Sequence, residues 1–99
     1  MSARAIVGLL SELVSVGDAE FERLHGSPAV DLLHEVQAAL MAAMESDLSY
    51  VVLWEQFLLT PHEVGEALVG VIQALAAADP VLAKWLEEAL ARYRQVVGA

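Results

Sequence analysis

The sequence predicts an all-α domain, a compact bundle of five or six helices. Three observations carry that prediction. Apolar residues recur at the 3.6-residue helical period through most of the 99 residues. Each of the three prolines follows a residue able to cap a helix, in Ser27-Pro28, Thr60-Pro61 and Asp79-Pro80. A cap oxygen accepts N–H groups that the first turn leaves unpaired, and a proline at the first helical position has none to lose. One stretch alone, Tyr50-Val-Val-Leu-Trp54, is made of strong strand formers. No second strand candidate exists, so a strand there would need pairing between two chains, and helix is the reading.

The first helix covers about Ala3 to Val16, with Ile6, Leu9, Leu10, Leu13, Val14 and Val16 as its apolar stripe and Arg4, Ser11, Glu12 and Ser15 opposite. Gly17 suits its end. A short helix from Ala19 to His25 turns Phe21 and Leu24 inward, with Asp18 as a candidate cap and Gly26 at its end. The next, Pro28 to Ser46, carries Val30, Leu33, Val36, Leu40, Met41 and Met44 on one face. Asp47 then caps Leu48 to Leu59.

The helix from Pro61 to Ala78 opens with a capping box, Thr60 with Glu63. Its polar face is narrow: His62, Glu63, Glu66 and Gln73. Gly65, Ala67, Gly70 and Ala74 are small enough for neighbouring backbones to approach, which marks it as the central helix. The last, Pro80 to Val97, is the cleanest amphipath. Leu82, Trp85, Leu86, Ala89, Leu90, Tyr93 and Val97 face in, Glu88 and Arg92 pair outside at i,i+4, and Gly98 ends it.

Leu48 to Leu59 differs from the other segments because its apolar residues go almost all the way round the wheel and include half of the six aromatics. A helix of that kind must be buried, and a domain this small buries only about 60–70% of its unfolded surface. The expected account is a surface for another chain, centred on Tyr50, Trp54, Phe57 and Leu58, with Glu55 and Gln56 at its rim. Tyr and Trp are favoured anchors because they bury large area at low entropic cost. The duller account is a second core helix with only Ser49, Glu55 and Gln56 reaching solvent. Met41 and Met44 suit an adaptable contact surface, with core filling as the default. Ala38 and Ala42 suit a close-packed seam or simply favour the helix.

Composition bounds the function. The hydrophobic fraction of 58% excludes disorder. Fourteen acids against five bases give a net charge of −9, which repels phosphate backbones and anionic lipid, so neither nucleic acid nor membrane is an expected partner. Three of the bases, Lys84, Arg92 and Arg94, lie in the last sixteen residues. With no cysteine there are no disulfides, thiolate metal sites or thiol catalysis, which fits an expected cytoplasmic location. The opening residues faintly resemble a signal peptide, but Glu12 interrupts the apolar run and an amphipathic helix fits better.

Two carboxylate-x-x-His spacings, Glu22 to His25 and Asp31 to His34, match the spacing used in di-iron bundles, with Glu12, Glu63 or Glu66 available to complete a set. Asp31, Glu35 and Glu45 lie opposite the apolar arc of their helix, however, and ligands of a buried metal must point inward. His62-Glu63-Val-Gly-Glu66 lacks the second histidine of a zinc helix. No serine stands in a glycine elbow or beside a base, and no glycine-rich loop could hold a phosphate. No enzyme activity, metal or cofactor is therefore expected.

The stretch Ala76-Ala-Ala-Asp-Pro-Val-Leu-Ala-Lys-Trp-Leu86 resembles the hinge between the last two helices of small bacterial effector-associated adaptor domains, some of which are similar to the death fold. With a helix on each side, the likeness covers about a third of the chain. It implies homotypic docking that brings an effector to a sensor, with no catalytic residue. The sequence thus leads to a non-catalytic adaptor that associates with itself or another protein. A metal-binding bundle and a membrane-active helical protein are the alternatives.

Overall fold

A computed structural model describes residues 2–98. Six helices follow one another: α1 (Ala3–Val16), α2 (Asp18–His25), α3 (Ser27–Met44), α4 (Leu48–Leu59), α5 (Pro61–Ala78) and α6 (Pro80–Gly98). There is no strand among the described residues, so the β-forming run in α4 is helical. α1 packs on α2, α3 and α5; α5 also meets α4 and α6, and α3 meets α2, α4 and α6. The radius of gyration is 12.8 Å, close to the ~13 Å of a closed 100-residue domain. One apolar cluster runs through the whole. Every helix sends at least one fully buried side chain into it: Leu10, Phe21, Leu40, Phe57, Leu68 with Ile72, and Leu86. Among the described residues, no charged or polar side chain is buried with them.

The connections are short because capping groups stop and restart the chain within one to three residues. Asp79 Oδ1 accepts from the N–H groups of Val81 and Leu82, both at 3.1 Å. Asp47 Oδ1 accepts from the Ser49 N–H at 2.9 Å, and Ser2 Oγ from the Ala5 N–H at 3.2 Å. Asp79→Ala should cost about 1 kcal/mol by leaving two N–H groups of α6 without their acceptor. Thermal unfolding checks this, and Asp79→Asn should recover most of the loss because its side-chain oxygen still accepts.

Three expected caps are not side-chain caps. Ser27 is itself helical, because Gly26 takes the cap position of α3. Asp18 likewise lies inside α2, whose cap is Gly17. Thr60 caps α5 through its backbone alone: its hydroxyl donates backward to the Gln56 carbonyl at 3.0 Å, so the capping box with Glu63 does not form.

Several faces are also rotated from expectation. Val16, Leu24, Met41 and Val97 were expected inside and are exposed. Val16 and Val97 lie in the last turns of α1 and α6, where neighbouring helices no longer cover them. Leu24 faces away because Phe21 alone anchors the two-turn α2. Arg92 reaches Glu35 on α3 at 3.6 Å rather than Glu88, because α6 lies beside α3. Gly98 is itself helical, the last described residue of α6.

α5 touches three helices but leaves Ala67, Gly70 and Ala74 exposed. A Cβ at Gly65 would make ordinary contact with Val7 at 3.7 Å, and one at Gly70 would meet nothing within 4 Å. Close packing therefore does not explain Gly70. α5 is nonetheless the helix on which α1, α4 and α6 all pack, with Ala67, Gly70 and Ala74 turned to solvent.

Candidate functional site

The surface features begin with the turn between α3 and α4. In the second half of α3, Leu40 and Met44 go into the core. Ala38, Met41, Ala42 and Glu45 follow at i, i+3, i+4 and i+7 and form the flank beside them. The stop at Met44 and the Asp47 cap turn the chain back, so that α4 packs against α3 as well as α5. Val51 and Trp54, one turn apart, then face the α3 flank.

Between the two helices lies an open groove of about 430 Å³, lined by Ala38, Met41, Ala42, Met44, Glu45, Val51 and Trp54. Met44 and Trp54 make its floor and are almost fully buried. The two alanines give it depth because neither carries a side chain beyond Cβ. Met41 stands on its wall with 51% of its surface exposed.

α4 also carries an outer apolar stripe apart from the groove lining. Leu48 is 77% exposed, Val52 is exposed one turn on, and Leu59 at the end of the helix is 82% exposed. Only Glu55 interrupts the stripe. The charges near the groove are acidic: Glu45 and Glu55, with Asp47 in the turn. The Ser49 hydroxyl, bonded to Asp47 Oδ1 at 2.6 Å, holds that carboxyl below its usual range, so Asp47 is ionised at neutral pH.

Of the four residues expected to form the interface, Trp54 and Phe57 are buried at 5% and 0% exposure and stack on each other with ring centroids 5.7 Å apart. Tyr50 is half-buried against the same core. Leu58 is exposed, but at the far end of α4, in a hollow with Val14, Ser15, Thr60 and His62. Tyr50, Trp54 and Phe57 share the face that α4 turns to its own bundle, and Leu58 lies off that face, so the four do not form one surface. The duller account also needs correction, since Leu48, Val52, Leu58 and Leu59 reach solvent together with Glu55 and Gln56. What α4 presents outward is aliphatic. Met41, weighed as a contact residue or core filler, and Ala38 with Ala42, weighed as a seam or plain helix formers, line the groove, whereas Leu48, Val52 and Leu59 gave no signal that set them apart from their neighbours.

The three histidines each reach across to another helix or its start. His25 Nε2 lies 2.8 Å from Glu12 Oε1, His34 Nε2 2.9 Å from Asp18 Oδ2, and His62 Nε2 3.4 Å from Ser15 Oγ. The partners of His25 and His34 are thus carboxylates elsewhere in the chain, not Glu22 and Asp31 of the two spacings. Among the described residues, no three His, Asp or Glu side chains are grouped to hold a metal ion. Burial, and secondarily the Glu12 charge, raise the Tyr93 phenol above its usual range. Arg4 pairs with Glu66 across α1 and α5, which holds the Glu66 carboxyl low, but both are exposed and the pair adds little. No described helix is long and apolar enough to cross a membrane. No protein-family model, curated protein or solved structure matches the chain.

Proposed function

We propose that this chain is a non-catalytic docking module that works by holding another protein, or a second copy of itself, against the α3–α4 face. The observation that supports this is the apolar surface that the bundle leaves open although its own core is closed. Met41 stays in water on the wall of a groove with an apolar floor, Leu48 and Val52 stay in water on α4, and exposed apolar surface of this kind is the usual mark of a contact site. The reading agrees with the adaptor role that the Ala76–Leu86 stretch implies by resemblance.

The test uses the double variant Met41→Glu/Val52→Glu. Both positions are exposed, so the fold should survive with little loss of stability. The wild type is expected either to sediment as an oligomer that the double variant dissolves, or to give crosslinked partners in an extract of its source cells that the double variant loses. A wild type that sediments as a monomer and crosslinks no differently from the double variant would overturn the reading.

A further inference from the structure

We infer that the occupant of the α3–α4 groove is a basic amphipathic helix of a partner protein; this rests on the docking reading above. Shape comes first. From Ala38 to Glu45 the groove runs along two turns of α3, about 10 Å, with apolar residues along its floor and walls. Such a trough suits the apolar stripe of a helix, which projects anchors at i, i+3 or i+4 and i+7. The exposed Met41 side chain is unbranched and able to shift against whatever enters.

Charge then selects among occupants. No lysine or arginine occurs between Arg23 and Lys84, a span that includes all of α3, α4 and α5. From Ala38 to the end of α4, every formal charge is negative: Glu45, Asp47 and Glu55. Arg92 is paired with Glu35, which lies outside the groove beyond its Ala38 end.

A second copy brings the same acids to the same seam, because a two-fold contact places one patch against itself. Two chains of charge −9 would meet there with no base to offset the repulsion. An acidic or neutral helix leaves Glu45, Asp47 and Glu55 without counter-charges. A helix with leucine-like anchors and flanking lysines or arginines satisfies both features: its stripe covers Met41, Val51 and Trp54, and its cations meet the acidic rim.

Two synthetic peptides of about fifteen residues, or four turns, provide the probe. One carries leucine and lysine in an amphipathic helical pattern, and the other has glutamate at every lysine. Titration calorimetry should show binding of the Leu-Lys peptide only. Met41→Lys should weaken it about tenfold or more, while Gln73→Lys, an exposed change of equal charge on α5, should leave it within about twofold. Ala42→Lys on the same wall should repeat the Met41→Lys loss, which guards against a local fault in either variant.

Equal weakening by Met41→Lys and Gln73→Lys would mean only general attraction to an acidic chain and would overturn the proposal. Binding of the Leu-Glu peptide would do the same. A wild-type oligomer that Met41→Lys dissolves would make a second copy the occupant, and the docking reading would then stand without this one. A partner crosslinked through the face, with neither peptide bound, separates the two readings in the same way.

Discussion

Phe57→Ala is expected to lower the stability of this domain by about 3–5 kcal/mol, the usual cost of emptying a buried aromatic site. Phe57 has no exposed surface and stacks on Trp54 in the cluster shared by all six helices. A domain of this size has only about 5–15 kcal/mol in total, so the variant should sit near its unfolding threshold in urea. Leu58→Ala, one residue on and 43% exposed, should lose no more than about 1 kcal/mol. The contrast between adjacent residues reads out the rotation of α4. Similar losses at both positions, or a larger one at Leu58, would show that the aromatic face points outward. Trp54→Ala should behave like Phe57→Ala. It would therefore weaken any complex by unfolding the module and is a poor probe of the interface; Met41 and Val52 are the proper ones.

The helices were legible in the sequence because local chemistry punctuates them. Ala3 to Val16 and Pro61 to Ala78 were read to the residue, since Gly17, Pro61 and the Asp79-Pro80 step act within one turn of the backbone. The third helix ends two residues before Ser46, where Asp47 draws the chain into the next cap. Which atom does the capping was less legible. Serine, threonine and aspartate beside a helix start all look competent, but Gly26 displaces Ser27 and the Thr60 hydroxyl turns back to Gln56.

The rotation of α4 was not legible at all. Where apolar residues surround the wheel, periodicity carries no phase, and only packing against α3 and α5 decides that Trp54 goes in and Val52 stays out. Trp54 and Phe57, expected on the outer surface of α4, are buried, and aliphatic residues of the same helix are exposed instead. Bulk was the misleading cue: the large aromatics fill the bundle's own core, and the smaller Leu48, Val52 and Leu59 are left in water.

The second large effect should come from Gly17→Ala combined with Gly26→Ala. Each glycine is the whole connection between two helices: α1 ends at Val16 and α2 starts at Asp18, then α2 ends at His25 and α3 starts at Ser27. The Gly17 N–H closes α1 on the Leu13 carbonyl at 2.9 Å, and its own carbonyl accepts from Phe21 at 3.0 Å to open α2. Gly26 repeats the arrangement between Glu22 and Val30.

To serve two helices at once, the backbone takes φ 84°, ψ 161° at Gly17 and φ 93°, ψ 158° at Gly26. That region is essentially reserved for glycine, and an L side chain there costs about 1–3 kcal/mol. A Cβ at Gly17 meets nothing within 4 Å and one at Gly26 meets only Pro28 Cδ at 3.7 Å, so the loss is backbone strain rather than a clash. Both corners hold the same short helix, so the double variant should lose more than either single one and at most about 6 kcal/mol.

Hydrogen exchange should show where that strain is released. α2 is held by Phe21 and by the Glu12–His25 and Asp18–His34 pairs, all of which depend on both corners. Its amides should lose protection before those of α5 and α6. Uniform loss across the six helices would mean instead that α2 is bound as firmly as the rest, and unchanged stability would mean that the corners adopt a conformation open to any residue.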